Sequence, residues 1–456
     1  MTETEIRDDD DFALDRGLVP AVRLALASGL SDQLAALLEP LHAADIADLL
    51  EQVDSATRRE LLLLGAGLFD GEVLSELDEA LREEVLEFLP QNVLQDAVRE
   101  LESDDVVDLL EDLEGEQQAK ILNALETADR VAVEQSLSYP EYSAGRLMQR
   151  EVVIAPEHWT VGEAIDFLRS QDDLPEQFYH IILTEPRLKP TGYVTLGRLL
   201  SSPRNMPLKS LEEDSFRTFR VTQPEADVAY AFNQYHLISA PVVDEDDRLI
   251  GVITIDDAMA VLDEEHEEDI LRLAGVGEGS LSDNVVETTK QRFPWLFVNL
   301  ITAILASMVI SQFEDTIAQL VALAVLMPIV ASMGGNAGTQ ALTVAVRAIA
   351  TKDLTGSNMW RVVRREAFVG LVNGLIFAIV MGAVGFFWFD SLMLGYVIAI
   401  AMVVNLVIAG LAGILIPVSL EKLGIDPALA SGAFVTTVTD VVGFFAFLGL
   451  AAWMLM

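Results

Sequence analysis

Residues 431–455 read Ser431-Gly-Ala-Phe-Val-Thr-Thr-Val-Thr-Asp-Val-Val-Gly-Phe-Phe-Ala-Phe-Leu-Gly-Leu-Ala-Ala-Trp-Met-Leu455. At 1.5 Å per helical residue such a stretch crosses a hydrocarbon layer of ~30 Å. It contains one carboxylate, Asp440, about nine residues inside. An ionised Asp at that depth costs ~2.5–3.5 kcal/mol on the insertion scale, so it needs a partner, water or an ion. A structural ion pair is the weaker reading, because no Lys or Arg lies in the middle of any long apolar stretch.

Working outward, four more stretches are long and apolar enough to span: 293–311, 317–349, 367–389 and 392–417. Residues 291–456 therefore read as a five-helix membrane domain. Its connections set an orientation. The one between the second and third stretches carries Lys352, Arg361, Arg364 and Arg365, with Arg347 beside it, and Lys290 and Arg292 precede the first, whereas 312–316 and Asp390 offer no basic residue. Positive-inside counting predicts a cytoplasmic N-terminus and an extracellular C-terminus. The second stretch holds Pro328-Ile-Val-Ala-Ser-Met-Gly-Gly-Asn-Ala-Gly-Thr-Gln340, a run of small and polar residues at membrane depth. Such a segment is either a close helix-packing face or the wall of a water-filled path.

The rest of the chain differs in kind. The 456 residues include 29 Lys+Arg and 72 Asp+Glu for a net charge of −43, yet residues 290–456 carry eight of each sign. All the excess charge lies in residues 1–289. No cysteine occurs, which excludes disulfides, thiolate metal sites and Cys nucleophiles. The acidity argues against nucleic-acid binding, which requires clustered Lys and Arg. The N-terminus reads MTETEIRDDDDF, without a basic n-region or an apolar h-region, so the acidic half is expected in the cytoplasm. Six lysines stand beside 23 arginines. A Lys-poor, acid-rich surface suits a halophilic protein, whose self-repulsion molar salt screens. Acid density alone is therefore no sign of cation binding.

Residues 18–140 show Leu, Ile and Val at i, i+3, i+4 spacing, the pattern of short amphipathic helices. Asp45-Ile-Ala-Asp-Leu-Leu-Glu51 recurs as Asp105-Val-Val-Asp-Leu-Leu-Glu111, as stacked helical hairpins would. An all-α N domain over 1–143 follows. From residue 144 to 262 the texture is short β-branched runs with one helix per half, in two copies (144–202 and 206–262). Gly192 and Thr195 recur 59 residues later as Gly251 and Thr254. These copies resemble a tandem pair of cystathionine-β-synthase-type (CBS) domains, of α+β fold, whose Gly-x-x-Thr/Ser-x-x-Asp turn often contacts a nucleotide. The second copy keeps it as Gly251, Thr254, Asp257; the first has Arg198 in place of the Asp. Scaffold and nucleotide site remain alternatives, the nucleotide being better supported at the second copy. Residues 263–274, Asp-Glu-Glu-His-Glu-Glu-Asp-Ile-Leu-Arg-Leu-Ala, predict an acidic helix within a connecting segment, 263–290. It is a solvated face or a coupling element.

Met333-Gly-Gly-Asn-Ala-Gly-Thr-Gln340, with the run from Leu423 through Asp426 to Phe444, resembles the signatures of the MgtE family of magnesium channels. So does the order of parts: helical N domain, the hinge Ser138-Tyr-Pro-Glu-Tyr-Ser-Ala-Gly-Arg-Leu-Met148, CBS pair, acidic helix and five spans. The resemblance implies a homodimer in the cytoplasmic membrane, with one Mg²⁺ pore lined by the second and fifth spans. It makes Asp440 the pore acid, with Thr436, Thr437, Asn336 and Gln340 beside the path. It also implies closure by cytosolic Mg²⁺ at regulatory acids, matched here by Asp257, Glu265, Glu268, Asp269 and Asp426, with Asp105 and Asp108 in the N domain. His236 stands where the family has an acidic ligand. ATP or another adenine nucleotide at Thr254 and Asp257 is a further implied ligand.

A hydrated Mg²⁺ held by carboxylates needs no stripping of its waters, and no Gly-x-x-x-x-Gly-Lys-Ser/Thr loop suggests an ATP-driven pump. Nothing here points to an enzyme. Three alternatives stay open: a broader Co²⁺, Mn²⁺ or Ni²⁺ path; a proton- or sodium-coupled carrier; and a membrane-anchored Mg²⁺ or nucleotide sensor without transport.

Overall fold

The computed structural model of the chain describes residues 14–15, 17–77, 79–111, 113, 115–171, 174–175, 178–213, 216–276 and 285–456. The acidic start and residues 277–284 of the connecting segment lie outside these. The chain forms two units, Met1–Asp263 and Glu264–Met456.

The first unit opens with short helices, among them Ala43–Gln52, Ser55–Leu64, Gln91–Glu100 and Ser103–Glu111. Helices of about ten residues are marginal alone and persist here by burying one face. Leu49, Leu50, Leu109 and Leu110 all have at most 1% exposure in a shared core. The sequence repeat is thus a structural one: its two copies fall on the helices Ala43–Gln52 and Ser103–Glu111. Local caps set the starts, as where Asp54 accepts from Thr57 N at 3.1 Å.

Two three-stranded sheets follow. In each, the first strand pairs parallel and the second antiparallel: β1 (Ile154–Pro156), β2 (His180–Thr184), β3 (Pro190–Thr195), then β4 (Phe219–Arg220), β5 (Ser239–Val243), β6 (Leu249–Thr254). β2 and β5 are buried along their whole length, which explains their continuous β-branched and aliphatic runs. The interposed helices are Val161–Ser170 and Glu225–Tyr235. The first begins at a capping box of Thr160 and Glu163. The acidic helix anticipated at 263–274 starts earlier, directly off β6, and runs Ile255–Leu273.

In the second unit, five helices among the described residues are long and apolar enough to cross a membrane. They are Val285–Ser311, Ala322–Ala350, Met359–Phe389, Leu392–Lys422 and Pro427–Leu455, with a short helix Glu314–Gln319 in the first connection. The third begins eight residues before the apolar stretch, and the fourth continues through Pro417. The fourth span is the hub: Leu394, Val397, Ile398, Ala401 and Met402 are fully buried. Close approach at its back depends on absent side chains. A Cβ on Gly413 would lie 2.6 Å from Ala341 Cβ and 2.7 Å from the Gly338 carbonyl; one on Gly338 would lie 2.6 Å from Val435 Cγ1. Small residues let helices touch backbone to backbone where no hydrophobic drive exists between them.

Candidate ion site and acidic clusters

The second span, Ala322–Ala350, carries its polar run on two sides of one helix. Gly334, Gly338, Ala341, Leu342, Ala345 and Val346 are buried against neighbouring spans. Asn336, Thr339, Gln340 and Thr343 are exposed. Their three- and four-residue spacing makes a polar stripe on the face turned away from that packing. Pro328 is accommodated inside this continuous helix.

Asp440 lies thirteen residues into the fifth span, Pro427–Leu455, so about 20 Å along it. It is half-buried, and none of the ion pairs among the described residues includes it. Glu366, inside the longer third helix, has Arg365 at 3.0 Å. The second and fifth spans meet where a Cβ on Gly338 would lie 3.5 Å from Thr439 Cγ2. Asp440, one residue beyond Thr439, and Gln340, two beyond Gly338, thus share a depth to within roughly one helical turn. The hydroxyl of Thr436 donates to the carbonyls of Gly432 (3.0 Å) and Ala433 (3.1 Å), and that of Thr437 to Ala433 (2.5 Å). Both therefore present only acceptor lone pairs outward.

At the start of the fifth span, Asp426 caps the helix, accepting from Ala428 N at 2.7 Å through Oδ1. Its Oδ2 accepts from Arg272 at 3.0 Å, and Arg272 also reaches Glu268 Oε1 at 2.7 Å. Asp269 is half-buried beside them. Burial, then the charges of Asp426 and Glu265, raise its carboxyl above the ordinary range. Glu265 is exposed. Leu273, at the end of the acidic helix, packs on Leu342, Val346, Ala428 and Val435, at the base of the second and fifth spans. Four of the predicted regulatory acids are therefore together here, and Arg272, which pattern alone does not single out, holds two of them.

The first unit has a second cluster, larger than the sequence suggested. Asp105 and Asp257 belong to it, with Glu102, Asp104, Glu151 and Asp256. Burial raises Glu102 to about 7, with Glu151 and Asp105 adding to it. Asp105 is raised to about 6 by burial and by Asp108. Asp257 is raised to about 7 by burial and by Asp256. Asp104, only 7% exposed, is driven well up by burial and by Asp257. Gln149 donates to Glu102, and Ser103 Oγ donates to Glu151 at 2.8 Å. Asp108 is drawn off by Arg82 at 2.7 Å. A signal for the missed residues exists in the repeat: Ser103-Asp104 replaces Ala43-Ala44 at the start of the second copy.

Among the described residues no three His, Asp or Glu side chains form a ready metal cage. Hard carboxylate oxygens nonetheless fit Mg²⁺, which keeps most of its waters and needs only one or two of them. The Thr254 hydroxyl is held by Asp256 and, at 2.8 Å, by Asp257. In the first copy Arg198 pairs with Glu213 at 3.2 Å. His236 caps the helix Glu225–Tyr235 in a left-handed conformation (φ 53°), beside an apolar cavity of about 160 Å³ lined by Phe232, Leu237, Ile255 and Met259.

Comparison with known proteins follows the same divisions. A family model described as divalent cation transporter, MgtE, matches residues 327–450; that of the MgtE intracellular N domain matches 41–142; the CBS domain matches 144–204 and 210–264. The chain is 33% identical over 320 residues to a magnesium transporter MgtE of Enterococcus faecalis, covering 70% of this chain and 71% of that one. It is 32% identical over 330 residues to the one of Thermus thermophilus, covering 72% and 73%. A crystal structure of the cytosolic domain of the Mg²⁺ channel MgtE in complex with ATP aligns at 28% identity and TM-score 0.49, over 53% of this chain and 99% of that one.

Proposed function

The chain belongs to the MgtE family of magnesium transporters, and on that premise we propose that it is a Mg²⁺ channel of the cytoplasmic membrane, working as a homodimer and closed by cytosolic Mg²⁺. The observation that carries the proposal is the polar stripe of Asn336, Thr339, Gln340 and Thr343 on the second span, level with Asp440 on the fifth and uncovered by this chain's own helices. Lipid does not solvate such a surface; water or a second copy does.

In the dimer, two Asp440 carboxylates face one path and attract a divalent ion through its hydration shell, rejecting monovalent ions by charge density. Thr436 and Thr437, their protons committed to their own helix, offer acceptor oxygens to the ion's water. Asn336 and Gln340 line the approach. The driving force is the membrane potential, about 2.3 kcal/mol per charge per 100 mV, hence roughly twice that for a divalent ion. With the N-terminus cytoplasmic, ions enter from the C-terminal side.

Closure acts where the acidic helix ends at the base of the two lining spans. Bound there, Mg²⁺ supplies positive charge between carboxylates. Glu265, Glu268, Asp269 and Asp426 hold it, and Leu273 remains packed against Ala428 and Val435. In the first unit, Asp105 and Asp257, joined by Glu102, Asp104 and Asp256, exert the same demand for a cation. An adenine nucleotide at Thr254 and Asp257 is part of the proposal, supported by the complete turn of the second CBS copy alone.

The test is Mg²⁺ uptake into liposomes containing the full-length protein. A channel gives flux that follows the membrane potential and ignores imposed proton and sodium gradients. Flux that collapses with either gradient means a coupled carrier, no flux means a sensor, and equal passage of Co²⁺, Mn²⁺ or Ni²⁺ means a broader path.

A further inference from the structure

Asn405 is a polar residue at the centre of the fourth span with no exposure at all. Its Nδ2 donates to the Val330 carbonyl of the second span at 2.8 Å, and its Oδ1 finds no hydrogen-bond partner. Leu has the same branched shape and would leave no buried acceptor unsatisfied. Stability therefore does not account for an amide here.

Its surroundings do. A Cβ on Gly334 of the second span would lie 2.2 Å from Nδ2 and 2.9 Å from Oδ1; one on Gly443 of the fifth span would lie 2.8 Å and 3.1 Å from the same atoms. The amide thus sits between two glycines on the two spans that carry the polar stripe and Asp440, and it is tied to one of them by a directional bond. Gly443 is three residues beyond Asp440, about one helical turn. Rotation or sliding of the fifth span on the second changes this contact, one turn beyond Asp440, together with that of Gly338 with Val435 and Thr439. Apolar packing tolerates such slippage; an amide bonded through Nδ2 and in close contact with both glycines does not.

We propose that Asn405 is a positioning residue for the ion site: it sets the rotation and depth of the fifth span against the second and so aims Asp440. This rests on Asp440 being the acid that meets the ion. It touches neither ion nor path itself.

The test uses full-length protein in liposomes, comparing Asn405→Leu and Gly443→Ala with the parent and with Asp440→Ala. Mg²⁺ flux is measured against Mg²⁺ concentration, K⁺ leak in parallel, and thermal unfolding on the same preparations. Positioning predicts that Asn405→Leu unfolds at the parent temperature or above, yet needs about tenfold more Mg²⁺ for half-maximal flux and leaks K⁺. Gly443→Ala, which disturbs the contact from the other side, gives the same pattern should Asn405→Leu fail to fold. Asn405→Ala vacates the space a methyl at Gly443 needs, so the double variant Asn405→Ala/Gly443→Ala is no worse than Asn405→Ala. Unchanged half-saturation and K⁺ exclusion in folded Asn405→Leu, or additive losses in the double variant, overturn the inference while Asp440→Ala still abolishes flux. Normal flux in Asp440→Ala overturns the ion-site reading and this inference with it.

Discussion

Arg272 occupies carboxylates that the proposed gate reserves for Mg²⁺. It contacts Glu268 at 2.7 Å and Asp426 at 3.0 Å, all three side chains being about 30% exposed. Partly exposed pairs of this kind contribute roughly 0.5–1 kcal/mol each; the Glu268 pair lies within the acidic helix, so the Asp426 pair alone ties that helix to the fifth span, by about 0.5–1 kcal/mol. Molar salt does not remove this: the Debye length falls to ~3 Å, but contact pairs lie within it. Because Arg272 and Mg²⁺ answer to the same two carboxylates, the arginine is a tethered stand-in that holds the helix when Mg²⁺ is scarce. Replacing it by Gln weakens the Mg²⁺-free closed state alone. The closed-to-open ratio with internal Mg²⁺ chelated then falls about 2- to 5-fold, at 1.4 kcal/mol per tenfold. Closure at saturating internal Mg²⁺ is preserved, because the arginine is no longer needed there. The assay is Mg²⁺ flux into liposomes holding Arg272→Gln or the parent, with chelator or excess Mg²⁺ inside. Unchanged flux under chelation makes Arg272 a bystander, and loss of closure at saturating Mg²⁺ makes it a part of the gate itself; either result refutes the stand-in account.

Three further outcomes follow. Neutralising Glu265, Glu268 and Asp426 together abolishes closure by internal Mg²⁺ in the same flux assay, while neutralising exposed N-domain acids such as Asp48 and Glu60 leaves it intact; equal loss from both sets means that diffuse charge does the gating. Glu102 and Asp257 at about 7 and Asp105 at about 6 are all raised above their unfolded values, so each favours the folded state below pH ~4 and that contribution is lost as pH rises through 6–7. Thermal unfolding of the full-length protein in chelator therefore moves to lower temperature from pH 5 to pH 8, and Mg²⁺ restores it more at pH 8, where the carboxylates are free to bind. Gly338→Ala places a methyl 2.6 Å from Val435 Cγ1 and costs about 1–3 kcal/mol, seen as an earlier thermal transition in detergent.

Periodicity carried much of the architecture. The 59-residue offset between the two CBS copies places Gly192 and Gly251 at matching positions of β3 and β6, and the repeated Asp-x-x-Asp-Leu-Leu-Glu motif lands on two helices with matching burial. Asp440 is legible because an acid in an apolar span has few physical explanations. Helix ends were less so. Arg361, Arg364 and Arg365 hide the first turns of the third helix from a hydropathy reading, and Pro417 reads as a stop although the fourth helix passes through it. Three side chains on which the proposals draw were illegible for a different reason. Asp104 is one acid in an acidic stretch, and only tertiary packing makes it buried. Arg272 meets Asp426 across 154 residues of sequence, and Asn405 meets Val330 across 75. No local pattern encodes such pairings, since each depends on how separate helices come together.

In the proposed channel one carboxylate per subunit, Asp440, meets the transported ion while acids elsewhere regulate it. Mg²⁺ uptake by the reconstituted full-length protein, with and without Asp440→Ala, at low and high internal Mg²⁺, tests it most directly. The expected outcome is flux in the parent that internal Mg²⁺ shuts off, and no selective flux at either internal concentration in Asp440→Ala. Parent-like, Mg²⁺-gated uptake in Asp440→Ala would contradict it.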